Sequence, residues 1–298
     1  MGIIFNQALL MWNAYQVGAS FEKICTFGQQ SLFLHPAEVN YFRNLNRSLG
    51  FDDASLFWRN YQFQGSYVND FFVKYFESKL ISVIDYSSYQ GADIIHDLNT
   101  PISDEFDNRY DVVIDGGTLE HIFNFPIAIS NMMRMVRVGG RVFLSTPANN
   151  QCGHGMYQFS PELMFRVFSP ENGFEVINLQ LIEGFFPSVE LGRNRKVYKV
   201  RDPKDLRSRV GFINHHPVTM MVEARKLASV NMFVKAPLQS DYVTAWDNQN
   251  YKNDSKLFFR DSLKRIIKRL PVAISRRLRG YYDLNRWSLS NHEFFNRI

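Results

Sequence analysis

The sequence predicts an α/β protein built on a mostly parallel sheet with helices on both faces. Three observations carry that prediction. First, Val112-Val113-Ile114 is an apolar run that stops at Asp115 and a Gly116-Gly117 turn. A run with no polar face reads as a strand covered on both sides, as in a parallel sheet. Second, Pro126 suits a first helical turn, and Ile127, Ile129, Met132, Met133 and Met135 give the helix that follows its apolar positions. Third, Gly139-Gly140 reads as the end of that helix, releasing a second apolar strand, Val142-Phe143-Leu144, which Pro147 stops. Strand, helix and strand at this spacing form a right-handed crossover, and ligands of such sheets sit outside the carboxyl ends of the strands. Asp115 to Asn124 and Ser145 to His154 are therefore expected around one crevice.

The remaining elements follow in order. The N-terminus is apolar in patches, but Asn6, Gln7, Asn13 and Gln16 interrupt it. It reads as an amphipathic helix on the sheet rather than a signal peptide or a membrane span. Lys23 to Phe27 is a first strand, ended by a turn at Gly28-Gln29-Gln30. His35 to Ser78 holds two helices. Pro36 starts one, with Gly50 just past its end; Ser66 is a candidate cap for the other, whose Val68, Phe71, Phe72, Tyr75 and Phe76 form a core stripe. Leu80 to Ile84 is the next strand, ending at Asp85. Gly91 to Ile95 is a short third strand, followed by His96-Asp97-Leu98-Asn99. Asp85 and Asp97 are too close for a full helix between them, so this crossover must be abbreviated.

After the strand at Val142 comes a loop rich in Gly, His, Tyr and Gln, which includes Cys152-Gly153-His154-Gly155-Met156-Tyr157. Two glycines give the imidazole of His154 conformational room, and a loop at the carboxyl edge of a sheet is where chemistry usually sits. Ser160-Pro161 starts the next helix. Phe174 to Ile182 and Val218 to Glu223 read as sixth and seventh strands, joined by a long connection from Gly184 to Pro217. His215-His216 in that connection reads as an exposed pair, not a metal site.

Asp111 to Asp115, Leu119-Glu120-His121-Ile122 and Val138-Gly139-Gly140-Arg141-Val142 together resemble the fourth to fifth strands of class I S-adenosylmethionine-dependent methyltransferases. The resemblance spans roughly Ile24 to Lys226 and implies a doubly wound, seven-stranded, Rossmann-like sheet whose last strand is antiparallel. It implies S-adenosylmethionine as cofactor, held by Gly28, Asp85, Asp97, Leu98, Asp115 and Gly116. Asp85 would accept from the ribose hydroxyls, and Asp97 and Leu98 would meet the adenine. Only Gly28 stands where that family carries several glycines. No Gly-x-Gly-x-x-Gly opens a strand, which disfavours a nicotinamide cofactor.

Methyl transfer to a hydroxyl needs alignment and a general base, and imidazole suits that near neutral pH. His154 and His121 are the candidates, with Tyr157 as an orienting donor. No metal is expected, since further ligands for the Glu120-His121 pair are not recognisable in the sequence.

At 45% hydrophobic, the 298 residues can bury a sizeable core. Residues 1–236 are read as the catalytic domain, with a helical insertion at about 35–78, and residues 237–298 as a basic helical extension. Eleven Lys/Arg stand against three Asp/Glu between Lys252 and Arg286, so the net charge of +5 belongs to this tail and the rest is net acidic. Within it, Phe259, Leu263, Ile266, Ile267 and Leu270 recur at helical spacing among Lys and Arg. That composition suits an anionic membrane surface, a partner helix or packing on its own domain. No nucleic-acid motif accompanies it. Two separated cysteines, Cys25 and Cys152, read as reduced thiols of a cytoplasmic protein. The expected activity is methylation of a small molecule, such as a sugar or a lipid-linked glycan intermediate. The alternative is a methyltransferase-fold protein that has lost catalysis and serves as a binding or scaffold subunit at a membrane. The oligomeric state is left open.

Overall fold

Strands without a polar face must be covered on both sides, and the chain meets that demand with a central sheet between two helical layers. The structure, a computed structural model, describes residues 2–34, 36–48, 67–184, 195–248 and 271–298. The chain begins with β1 (Gly2–Ile4), α1 (Phe5–Gln16), β2 (Lys23–Phe27), β3 (Ser31–Phe33), α2 (Pro36–Ser48) and α3 (Asn69–Phe76). Next come β4 (Leu80–Asp85), β5 (Ile94–Ile95), β6 (Tyr110–Asp115), α4 (Phe125–Met135) and β7 (Val136–Asn149). α5 (Pro161–Val167), β8 (Phe174–Glu183), β9 (Lys196–Val200), α6 (Pro203–Leu206) and β10 (Val218–Lys226) follow. The chain closes with α7 (Ser240–Asn248), α8 (Val272–Arg286) and β11 (Phe295–Arg297).

The main sheet has the order β11-β9-β8-β10-β7-β6-β2-β4-β5. β5, β4, β2, β6 and β7 run parallel, while β10 lies antiparallel between β7 and β8. The parallel centre and the antiparallel seventh strand are as the sequence predicts. Among the described residues the sheet has nine strands, however, not seven, because antiparallel β9 and β11 extend the edge beyond β8. Both escape sequence reading for physical reasons. β9 sits inside a long connection and keeps Lys196 and Lys199 exposed; β11 is three residues, too short for periodicity to register. A second, two-stranded sheet pairs β1 with β3.

Alternation along the strands divides the core between the two faces. On one face, Val113, Val142 and Leu144 pack with Ala128, Ile129, Met132 and Met133 of α4. On the other, Val112, Ile114 and Phe143 meet Met11 and Trp12 of α1 and the stripe Phe71, Phe72, Tyr75 and Phe76 of α3. The N-terminal helix and the aromatic stripe are thus core elements, as expected. The abbreviated crossover between β4 and β5 is a single 3₁₀ turn at Ser88–Gln90.

Two expected boundaries move. The helix α4 ends at Met135, and Gly139-Gly140 lies inside β7 instead of stopping the helix. Gly139 has φ +80°, and pairing with β6 shifts register between Tyr110 and Val112. A Cβ at Gly140 would lie 2.5 Å from the Asp111 carbonyl oxygen, so glycine there permits close strand pairing. Pro147 does not stop the strand either, since β7 continues to Asn149. Its pairing with β6 ends at Leu144, so on that side Pro147 has no ladder donor to supply.

Ser66, Gly50 and the helical pattern from Leu257 to Leu270 lie outside the described residues; α3 begins at Asn69 with Val68 as its cap residue. The cluster Arg276-Arg277-Leu278-Arg279 falls in α8, none of whose residues is buried. Beyond α8 the chain returns to the core, where Leu289, Phe294 and Phe295 are buried. Among the described residues no helix is long and apolar enough to cross a membrane.

Candidate functional site

The connections from β2 run toward β4 on one side of the sheet, while those from β6 run toward β7 on the other. That reversal opens the edge between their carboxyl ends, where open α/β sheets take ligands. Gly28, just past β2, has φ +69°, and its N–H donates to the Ile84 carbonyl at 2.8 Å. Gln30 is fully buried, and its Nε2 donates to the carbonyls of Phe27 (2.6 Å) and Gly28 (3.4 Å). A Cβ at Gly116 would lie 2.3 Å from Gln30 Oε1, so glycine is required at the end of β6 for this side chain to fit. The N–H of Gly2 closes over the same point by donating to the Gly116 carbonyl at 3.0 Å.

Asp115 is fully buried, and its carboxylate accepts from the N–H groups of Thr118 (2.7 Å) and Leu119 (3.3 Å). Burial, with Glu120 as a second buried carboxyl nearby, pushes the Asp115 pKa up to about 8 against those hydrogen bonds. Thr118 Oγ1 donates to the Phe27 carbonyl at 2.7 Å, tying the β6 turn to β2. Gln7, on α1, donates to the Asp115 carbonyl.

The sequence-predicted nucleoside residues fall at the same edge. Asp85 ends β4 half-buried, and its Oδ1 accepts from the Tyr86 N–H at 2.6 Å. Asp97 follows β5 and accepts from the backbone and side-chain N–H groups of Asn99, which hold its carboxyl below the usual range. Leu98 is buried in the core. Gly28, Asp85, Asp97, Asp115 and Gly116 thus share the carboxyl edge of four neighbouring parallel strands.

The second part of the site lies beside it, after β6 and β7. Leu119–His121 forms one 3₁₀ turn, with Glu120 fully buried and His121 exposed. The loop carrying His154 is fastened onto this turn: the N–H groups of Met156 (2.7 Å) and Tyr157 (3.2 Å) both donate to the Glu120 carbonyl. Gly155, at φ +82°, passes so close that a Cβ would lie 2.8 Å from Glu120 Cγ. Tyr157 Oη donates to the Phe123 carbonyl at 2.7 Å, so its proton serves to clamp the two loops. His154 Nε2 lies 3.4 Å from Glu120 Oε1, and the His121 and His154 rings are 5.4 Å apart. Thr146 Oγ1 holds the other oxygen, Glu120 Oε2, at 3.3 Å. Of the pair expected to be exposed, His215 is exposed but His216 is half-buried, its carbonyl accepting from Asn150 Nδ2 at 2.9 Å.

Sequence reading missed Gln7, Gln30 and the role of Glu120. Glu120 had a signal in its adjacency to His121. The two glutamines had none, since their place depends on how α1 and β1 close over the sheet. Among the described residues, the side-chain oxygens of Gln7 and Gln30 are buried without hydrogen-bond partners. Buried orphan acceptors fit a ligand bearing an ammonium group, and the half-buried carboxylate of Asp85 fits a diol. The residues present therefore suit an amino-acid nucleoside such as S-adenosylmethionine.

No protein-family model matches the chain, and no curated protein matches it. Solved structures align at low identity. A protein of Bacillus halodurans C-125 assigned as a methyltransferase is 15% identical, with 74% of this chain and 99% of that one covered and a TM-score of 0.40. An S-adenosylmethionine-dependent methyltransferase of Thermotoga maritima is 11% identical over 74% of this chain and 89% of its own, at a TM-score of 0.38. The 1,6-didemethyltoxoflavin-N1-methyltransferase of Burkholderia thailandensis, solved with S-adenosylhomocysteine, is 11% identical over 75% and 78%, at 0.37. The chain is similar to these proteins at levels too low to assign its activity, which must be argued from its own sheet order and site.

Proposed function

We propose that the chain is an S-adenosylmethionine-dependent methyltransferase acting on a small molecule. One observation carries the reading: a parallel sheet reversing between β2 and β6, with antiparallel β10 inserted between β7 and β8, and Gly28, Asp85, Asp97 and Asp115 along its carboxyl edge. Asp85 takes the ribose hydroxyls, Asp97 and Leu98 the adenine side, and Gly28, Gly116 and the orphan acceptors of Gln7 and Gln30 the amino-acid end. When bound, the cofactor supplies an electrophilic methyl group on a sulfonium. His154 removes the proton of an acceptor hydroxyl, and Glu120 Oε1 stands behind its Nε2 at 3.4 Å. The fastened loops hold these groups in place, which is the larger requirement for a displacement.

For the acceptor we propose a sugar or a lipid-linked glycan intermediate. Tyr86, Tyr89 and Phe123 are exposed on loops at the same edge and offer ring faces for stacking. Residues 1–236 are proposed to carry the catalytic and cofactor-binding side chains, on a sheet and core that β11 and the buried residues Leu289, Phe294 and Phe295 complete. The basic extension is proposed to touch an anionic membrane surface through α8, which exposes Arg276, Arg277 and Arg279 beside Leu278, Tyr281 and Tyr282.

A second reading, a non-catalytic binding or scaffold protein, is favoured by Gln30, whose side chain fills the space beside Gly116 where that family carries open glycines. Calorimetry with S-adenosylhomocysteine separates the two. Saturable one-to-one binding is expected for the enzyme, and silence would leave the scaffold.

A further inference from the structure

Glu120, His121 and His154 bring one carboxylate and two imidazoles together, with their candidate ligand atoms all within 4.8 Å of one another. From this geometry we infer a binding site for a divalent first-row transition cation of the Zn²⁺ class, held by these three side chains. Two imidazoles with one carboxylate are a donor set for Zn²⁺ and its neighbours, and are poor ligands for Mg²⁺ or Ca²⁺. Three protein ligands leave a further position open, the arrangement of a reactive site and not of a closed structural one.

A second observation points to the ion independently of the cluster. Glu120 is fully buried, yet among the described residues its Oε1 has no hydrogen-bond partner, and it faces His154 Nε2 at 3.4 Å. A buried carboxylate oxygen without a donor is a burden on the fold, which a bound cation removes. The other oxygen is already oriented by Thr146 Oγ1, as outer partners of metal carboxylates are. The backbone around the site is fixed by the bonds from Met156 and Tyr157 to the Glu120 carbonyl. Donors around an ion at about 2.0–2.2 Å are spaced about 3–4 Å apart. The cluster needs a contraction of about 1 Å, within reach of rotation of two exposed imidazoles.

The site stands apart from the methyltransferase reading in its test, though it shares His154 with it. An imidazole nitrogen that holds a cation cannot take a proton, so occupancy and base action by His154 are exclusive states of one side chain. The experiment is calorimetric titration of ZnCl₂ into chelator-treated full-length protein at neutral pH, with Co²⁺ absorption as a spectroscopic check. One equivalent of Zn²⁺ is expected, unaffected by excess Mg²⁺. His121→Ala and His154→Ala should each weaken it by more than about tenfold, while His215→Ala leaves it unchanged. Both histidines are exposed, so these variants keep the core and remain informative even if Glu120→Gln fails to fold. No stoichiometric Zn²⁺ binding, or wild-type affinity in both histidine variants, would overturn the site. S-adenosylhomocysteine affinity, measured in the same samples, shows separately whether the cofactor reading stands.

Discussion

At the scale of single residues, the roles proposed for Asp85 and His154 separate holding the cofactor from activating the acceptor. Asp85 has one oxygen engaged by Tyr86, and the other is assigned to the ribose. Asp85→Ala is expected to weaken S-adenosylhomocysteine by about 1–3 kcal/mol, the cost of leaving polar partners unpaired. Calorimetry on the folded variant checks this, and unchanged affinity removes Asp85 from the site. His154→Ala should instead lower single-turnover methyl transfer by about 10²–10⁴-fold at saturating cofactor, with affinity for S-adenosylhomocysteine nearly unchanged. A variant that keeps wild-type turnover would remove His154 from the chemistry. The places of Asp85 and Asp115 were legible in the sequence because each closes an apolar run, and a strand end is a local signal, whereas Asp97 was singled out by the resemblance. Gln30 was not, because its position follows from Gly116 and β1, which lie far from it along the chain.

Elements were legible where they obey one period for several turns, and illegible where packing overrides a local stop signal. α3 kept its predicted stripe. Gly139-Gly140 reads as a helix end on local chemistry, yet the close approach to Asp111 explains those glycines. The C-terminal elements show the same tension. α8 is exposed along its length, but the residues after it bury Leu289, Phe294 and Phe295. Truncating the tail would therefore strip the core, and substitution is the cleaner experiment. Arg276→Glu, Arg277→Glu and Arg279→Glu together should cut binding to phosphatidylserine vesicles by about 3 kcal/mol or more, at about 1 kcal/mol for each basic residue lost. Cofactor affinity should stay as it was. Unaltered vesicle binding in a co-sedimentation assay would rule out α8 as the membrane contact.

For the whole molecule, the parallel centre could be read from apolar runs, and the resemblance supplied the antiparallel last strand. The added edge of β9 and β11 could not be foreseen. Global stability carries one pH signature of this packing. Lys226, at the end of β10, is buried and donates to the carbonyls of Met133 (2.9 Å) and Val136 (2.8 Å). Burial lowers its pKa to about 8, below the value of about 10.4 for an unfolded chain. Between those values the unfolded chain binds more protons, so stability rises with pH; below about 8 the penalty is fully present. Wild type should gain about 1–3 kcal/mol over Lys226→Met between pH 7 and pH 10 in urea unfolding. A difference that stays flat would show that Lys226 does not titrate there.

The position of β10 also has a consequence for how the chain is made. β8 leaves the ribosome before β10, yet in the finished sheet β10 lies between β8 and β7. Until residues 218–226 emerge, two apolar strand edges stand ready to pair with each other or with another nascent chain. Residues 184–217, which delay the arrival of β10, thereby set how long newly made copies must be shielded from their neighbours.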